Sequence, residues 1–100
     1  MFEQLSALLA GYFHQDWDLE FPDYSAVASH FVGEADTATV ETVLGQLAIL
    51  AASENEVQID EILTAAGCYF RPIDGSLSDW LKDFALQISR AAWKQRNDVG

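Results

Sequence analysis

The chain has 100 residues, of which 50% are hydrophobic and 12% aromatic; this is the composition of one folded domain and excludes a disordered chain. Sixteen acids against five bases give a net charge of −11, which disfavours binding to nucleic acid or to an anionic membrane. The single cysteine, Cys68, excludes an internal disulfide, so we expect a cytoplasmic protein. The first residues lack positive charge and a long apolar run, so we expect neither a secretion signal nor a membrane span.

The acids are unevenly distributed along the chain. The first 70 residues contain twelve acids and no lysine or arginine, whereas all five bases follow Phe70. Charge of this kind steers basic partners towards a surface. It is equally expected of a domain that only has to remain soluble, and composition alone leaves both interpretations open.

Apolar residues recur at helical spacing, which predicts an all-α fold. The first predicted helix runs from about Phe2 to Phe13. A second begins after Pro22, with Asp23 as a candidate N-cap and Gly33 as its stop.

A third predicted helix begins after Asp36, a plausible N-cap. The residues Ser53 to Glu56 have the spacing of a capping box and predict the start of a fourth helix, which Gly67 ends.

The last predicted helix is capped by Ser76 or by Ser78 and runs to about Gln95. Connections between the helices are short, and the chain contains no repeat or linker. We therefore expect residues 1–100 to form a single domain, a small bundle of four to five helices.

The stretch Tyr12–Glu20, with the sequence YFHQDWDLE, follows no helix or strand period and is expected to form a structured loop. Its histidine and three acids alternate as metal ligands could. A calcium loop starting at Asp16 would place Phe21 where glycine is needed and Val27 where glutamate is needed. Neither His30 nor Cys68 has a partner at zinc spacing. We therefore expect no metal and no cofactor.

Candidate catalytic groups are His14 beside Asp16, and Ser25 or Ser29 with His30. No nucleophile turn, oxyanion hole or phosphate-binding loop accompanies them. We therefore expect no enzymatic activity, and we interpret His30 as a partly packed residue of the second helix.

The three tryptophans differ in context. Trp80 lies on the apolar face of the last helix and is predicted to be in the core, while Trp93 is predicted to be partly exposed. We expect Trp17 to be mostly buried with the flanking acids directed outward, and Cys68 to be a small buried hydrophobe.

The stretch Tyr12–Glu20 resembles the signature of the CdiI family, the immunity proteins of contact-dependent growth inhibition. The segment Gly67–Pro72, followed by Gly75 and then Trp80-Leu81, is similar to a second landmark of that family. The resemblance extends over nearly the whole chain, although the middle matches only as amphipathic helices. It identifies the following signature residues, to which we assign a structural role: Tyr12, Phe13, His14, Gln15, Trp17 and Trp80.

The resemblance implies a function by binding, with no catalytic residues. Proteins of this family are small cytoplasmic antitoxins that neutralise the C-terminal toxin domain of a surface-displayed CdiA protein, and many of these toxin domains are nucleases. The expected partner is therefore one cognate CdiA toxin domain, bound 1:1, with no nucleic acid, membrane or metal involved.

A nuclease must be basic where it grips phosphate, so acids are the expected contact residues. The candidates are Asp16, Asp18, Glu20, Asp23, Glu34, Asp36 and Glu41, with Glu54, Glu56, Asp60 and Glu61 as a second patch. Two other classes remain open: an acidic helical adaptor without a toxin partner, and a small enzyme that uses His14 and nearby carboxylates.

Overall fold

The computed structural model describes residues 2–97, and within them helices account for all the regular structure. The all-α prediction is confirmed. One more helix is present than the four to five predicted: it has four residues and lies within the stretch Tyr12–Glu20, which was predicted to be a loop. In chain order the helices are α1 (Glu3–Tyr12), α2 (Trp17–Glu20), α3 (Tyr24–Glu34), α4 (Thr37–Ala52), α5 (Glu56–Ala65) and α6 (Leu77–Asn97).

The 21-residue helix α6 organises the bundle. It packs along α3 and α4 and contacts α5, while α1 packs on α4. Its fully buried side chains Leu81, Phe84 and Ile88 recur every three or four residues, which is the spacing that aligns them on one face of a helix. The helix runs through Asn97, the last residue that the structure describes and two residues beyond the predicted end.

The centre of the core is the ring of Phe13, which is 0% exposed. Its centroid lies 5.3 to 5.7 Å from those of Trp17, Phe70, Trp80 and Phe84. The rings are tilted or edge-to-face, the arrangement that aromatic quadrupoles favour. Phe13 therefore joins the end of α1 to α2, to α6 and to the segment before α6.

The predicted burial of the tryptophans and the cysteine can be checked residue by residue. Trp80 and Cys68 are each 4% exposed, as predicted, and burial raises the pKa of the Cys68 thiol. Trp93 is 66% exposed. Trp17 is mostly buried, as predicted, and the part of it that stays accessible lines a surface groove.

Two helix starts agree with the sequence prediction. Asp23 Oδ1 accepts the Ala26 N–H at 2.9 Å, and Asp36 Oδ1 accepts the Thr39 N–H at 2.7 Å. The predicted stop at Gly33 is wrong, because α3 continues through Glu34. A glycine in a last turn weakens a helix without breaking it, and α3 ends where the backbone becomes extended before the next cap.

The predicted capping box of the fourth helix is also wrong. Ser53 is the C-cap that follows α4, and its hydroxyl donates to the Leu50 carbonyl at 2.9 Å. The N-cap of α5 is Asn55, whose Oδ1 accepts the Gln58 N–H at 3.1 Å. Gly67 ends α5 as predicted, with φ +83°.

The start of α6 is capped from two directions. Ser76 Oγ accepts the Asp79 N–H at 3.0 Å, while the Ser78 hydroxyl donates to the Ala51 carbonyl at 2.7 Å. The carboxylate of Glu56 accepts two further N–H groups, those of Leu77 at 2.5 Å and Ser78 at 3.0 Å. A side chain of α5 thus satisfies the exposed donors of α6.

Replacing Glu56 with alanine should lower the free energy of unfolding by about 1–2 kcal/mol, because the N–H groups of Leu77 and Ser78 lose a charged acceptor. The matched control is Glu61→Ala on the same helix, since Glu61 is exposed and its side chain contacts no charged group in residues 2–97. Urea denaturation measures both. Equal losses in the two variants would contradict a capping role.

Candidate functional site

The seven acids proposed as contact residues are all exposed, but they form two groups. Asp16, Asp18, Glu20 and Asp23 lie on and around α2, at the start of α3. The other three lie around the connection from α3 to α4. The 11 residues of α3 separate the groups, a distance of about 16 Å along the helix. The second group consists of Glu34, Asp36 and Glu41.

Three of these acids already make contacts inside the chain. Asp23 and Asp36 are N-caps, and the hydrogen bonds from Thr39 lower the pKa of the Asp36 carboxyl. Glu20 Oε1 lies 3.2 Å from His14 Nε2. The remaining four form no ion pair or side-chain hydrogen bond within residues 2–97, so their charge faces solvent. These are Asp16, Asp18, Glu34 and Glu41.

His14 closes the connection between α1 and α2. Its Nδ1 accepts the Asp16 N–H at 3.2 Å, and its Nε2 faces Glu20. Gln15 beside it is exposed. Both ring nitrogens are therefore engaged locally, and the arrangement orders a turn.

Tyr12 points away from Phe13, towards α3. Its ring packs against those of Phe21, His30 and Phe31, and its hydroxyl lies 3.2 Å from His30 Nδ1. Burial raises the pKa of Tyr12, and the charge of Glu34 adds to the effect. His30 is more exposed than predicted, although its ring covers two aromatic neighbours.

Two of the groups considered for catalysis have other partners than those considered: His14 Nε2 lies 3.2 Å from Glu20 Oε1. The Ser25 hydroxyl lies 3.2 Å from Gln87 Oε1 rather than on His30. Across residues 2–97, no three side chains of His, Cys, Asp or Glu come close enough to hold a metal ion. In the same range no helix has the length and apolarity needed to cross a membrane.

A groove of about 570 Å³ lies between α2, the start of α3, the segment before α6 and the first turns of α6. Phe70 lies against Trp80, with ring centroids 4.8 Å apart. The buried Nε1 of Trp80 has no acceptor within residues 2–97. We call this surface the aromatic groove. Its apolar lining is Trp17, Tyr24, Phe70, Pro72, Ile73 and Trp80, and its carboxylates are Asp74, Asp79 and Asp83.

Arg71 fixes the segment that forms one wall of this groove. Its Nε lies 2.8 Å from Asp60 Oδ1, its Nη1 donates to the carbonyls of Cys68 and Phe70, and its Nη2 donates to Thr64 Oγ1. All three nitrogens of the guanidinium therefore donate hydrogen bonds within the chain. The sequence placed Arg71 within the second family landmark, Gly67–Pro72, but did not indicate these side-chain contacts.

The second acidic patch proposed from the sequence is largely engaged within the chain. Asp60 pairs with Arg71, and Glu56 caps α6. Glu54 lies 3.9 Å from Lys82 Nζ. Glu61 alone of the four has an exposed side chain with no such contact in residues 2–97.

Tyr24 donates a hydrogen bond to Asp83 at the edge of the groove. This bond, together with burial, raises the pKa of Tyr24 from 10.0 to about 12. The folded state thus favours the neutral phenol, and this stabilisation is complete below the unfolded pKa of about 10 and disappears as the pH rises through about 12. We expect the stability difference between the native chain and Tyr24→Phe to shrink over that interval. Urea denaturation at pH 8, 10 and 11.5 measures it, and a constant difference would contradict the bond.

The model of the CdiI immunity protein family matches residues 1–88. The chain belongs to the CdiI immunity protein family. The family predicted from the sequence is confirmed, and the matched region of this CdiI-family chain contains both acidic groups and the aromatic groove. Searches of curated proteins and of solved structures found no significant match.

Proposed function

We propose that this chain is an immunity protein of contact-dependent growth inhibition, which binds and neutralises the C-terminal toxin domain of its cognate CdiA protein. The observation that carries the proposal is the family match over residues 1–88. One copy binds one toxin domain, in the cytoplasm of the cell that needs protection. The chain acts by occupying a surface of the toxin and performs no chemistry.

The charge of the chain supports a nuclease as the toxin. A nuclease presents a basic surface to phosphate, and this chain carries a net charge of −11. Four of the seven candidate contact acids face solvent without a partner in residues 2–97, so their field is available to a basic protein. Opposite charges of this kind accelerate association, which matters when a toxin has already entered the cell.

Coexpression with the cognate CdiA toxin domain tests this function. Cells that produce the toxin domain alone should stop growing, whereas cells that also produce the native chain should grow, and the two proteins should copurify in equal amounts. A CdiI-type protein paired with a different toxin serves as the control for specificity. Continued growth arrest together with no copurification would contradict the function, and would leave an adaptor for other proteins as the alternative.

A further inference from the structure

The aromatic groove has an apolar surface that the fold leaves open. Trp17, Tyr24 and Phe70 are only partly buried, although they belong to the same ring cluster as the buried Phe13. Ile73, which also lines the groove, is 100% exposed. Apolar surface of this kind is typical of an interaction site.

The carboxylates of the groove make its charge negative. Asp74 and Asp79 are exposed, and their side chains form no ion pair or hydrogen bond within residues 2–97. Asp83 holds the hydroxyl of Tyr24. Arg71 is the single base among the lining residues, and its guanidinium is directed to Asp60, Thr64 and backbone carbonyls.

The positive end of the α6 dipole does not cancel this charge. The N-terminal N–H groups of a helix attract anions, but Glu56 and Ser76 already accept hydrogen bonds from the first turn of α6. The groove therefore offers aromatic faces beside unpaired carboxylates.

Hydrogen bonds within the chain hold the walls of the groove in place before a partner binds. Arg71 ties the segment before α6 to α5, and the Tyr69 N–H donates to the Phe13 carbonyl at 2.7 Å. The Ser78 hydroxyl holds the start of α6 to α4. A partner that enters this groove does not have to order it, which lowers the entropic cost of binding.

We propose that the aromatic groove binds an arginine side chain of the toxin domain; this inference rests on the proposed function. A guanidinium is planar, stacks on aromatic rings and pairs with carboxylates in two-point geometry. The groove provides both features, with Trp17 and Phe70 as ring surfaces and Asp74 and Asp79 as acceptors. Cationic groups that recognise phosphate are abundant on a nuclease, so the charge of the groove is complementary to the partner.

Two groove variants and two controls test the inference with the full chain and the cognate toxin domain. Asp74→Asn/Asp79→Asn removes two charges with little change in shape, and Ile73→Ser removes an apolar side chain that is 100% exposed and supports no core. The matched controls are Glu3→Lys, which changes the net charge by the same two units at an exposed position outside the groove, and Ile49→Ser on α4, also outside the groove. Urea denaturation confirms that each variant folds.

We expect the Asp74/Asp79 variant to weaken the complex at least tenfold and Ile73→Ser to weaken it about fivefold, with both controls within twofold of the native chain, as measured by calorimetry. The arginine is then found by replacing each toxin arginine with alanine. One of these replacements should lose its effect when combined with Asp74→Asn/Asp79→Asn, which a double-mutant cycle detects.

The outcomes separate the inference from the function. A native chain that does not bind the toxin contradicts the proposed function. If the native chain binds and protects and the groove variants bind equally well, the groove is not the binding site, while the proposed function stands. If the double-mutant cycles couple the groove to an apolar toxin residue and to no arginine, the proposal that an arginine occupies the groove is wrong.

Discussion

Replacing Phe13 with alanine should lower the free energy of unfolding by about 3–5 kcal/mol. The ring is 0% exposed and contacts four other aromatic rings that belong to α2, α6 and the segment before α6. Its loss leaves a cavity where these parts meet, and the neighbouring rings cannot close it without losing their own contacts. Since small domains are stable by only about 5–15 kcal/mol, a large part of the total is at risk.

Circular dichroism during urea denaturation measures this loss, with Leu19→Ala as the matched control. Leu19 is also a large apolar residue of the signature stretch, but it is 82% exposed, so its replacement should cost less than about 0.5 kcal/mol. Phe13→Leu should give an intermediate loss, because it retains part of the volume. A loss below about 1 kcal/mol for Phe13→Ala would contradict its central position.

Reversing four solvent-facing acids should slow association with the toxin domain at least about tenfold at low ionic strength. The variant combines Asp16→Lys, Asp18→Lys, Glu34→Lys and Glu41→Lys, which changes the net charge from −11 to −3. Its association rate should also depend less on salt, because a weaker field has less to be screened. Stopped-flow kinetics from low to physiological salt measures both effects, and unchanged affinity at low salt would show that electrostatic attraction is not the mechanism.

The structure determines which acids this variant includes. Asp23 and Asp36 are left unchanged because reversing an N-cap costs about 1 kcal/mol of stability, and Glu20 is left because it pairs with His14. The two halves of the variant, one from each acidic group, carry the same change of charge and serve as controls for each other. Equal effects on association indicate long-range steering, whereas faster dissociation in only one half locates the direct contact.

The local parts of the fold could be predicted from the sequence because their causes are local. Asp23 and Asp36 cap helices through N–H groups three residues later, which a reader of the sequence can count. The start of α5 was assigned to Ser53 instead of Asn55 because Glu56 completes the spacing of a capping box. Glu56 instead binds N–H groups 21 and 22 residues away. Similarly, the Leu5 N–H donates to Gln46 Oε1 at 2.9 Å, a contact between helices that no local pattern indicates.

The candidate site was less predictable because it depends on how the helices are arranged. Acids close to each other in sequence proved to be exposed, but their division into two groups follows from the position of α3. The groove carboxylates were overlooked because the last thirty residues nearly balance in charge. In space, Asp79 and Asp83 lie at the start of α6 and Arg90 and Arg96 near its end, and a 21-residue helix is about 30 Å long. A balanced segment can thus carry two oppositely charged ends.

The three tryptophans give this protein a set of intrinsic fluorescent probes. Trp80 is 4% exposed and stacks on Phe84, Trp93 is 66% exposed, and Trp17 is mostly buried and lines the groove. Emission from a buried indole lies at shorter wavelength than emission from a hydrated one, so we expect the three to differ in emission maximum. Single-tryptophan variants would therefore report separately on loss of the core, on the end of α6 and on occupation of the groove, without an added label.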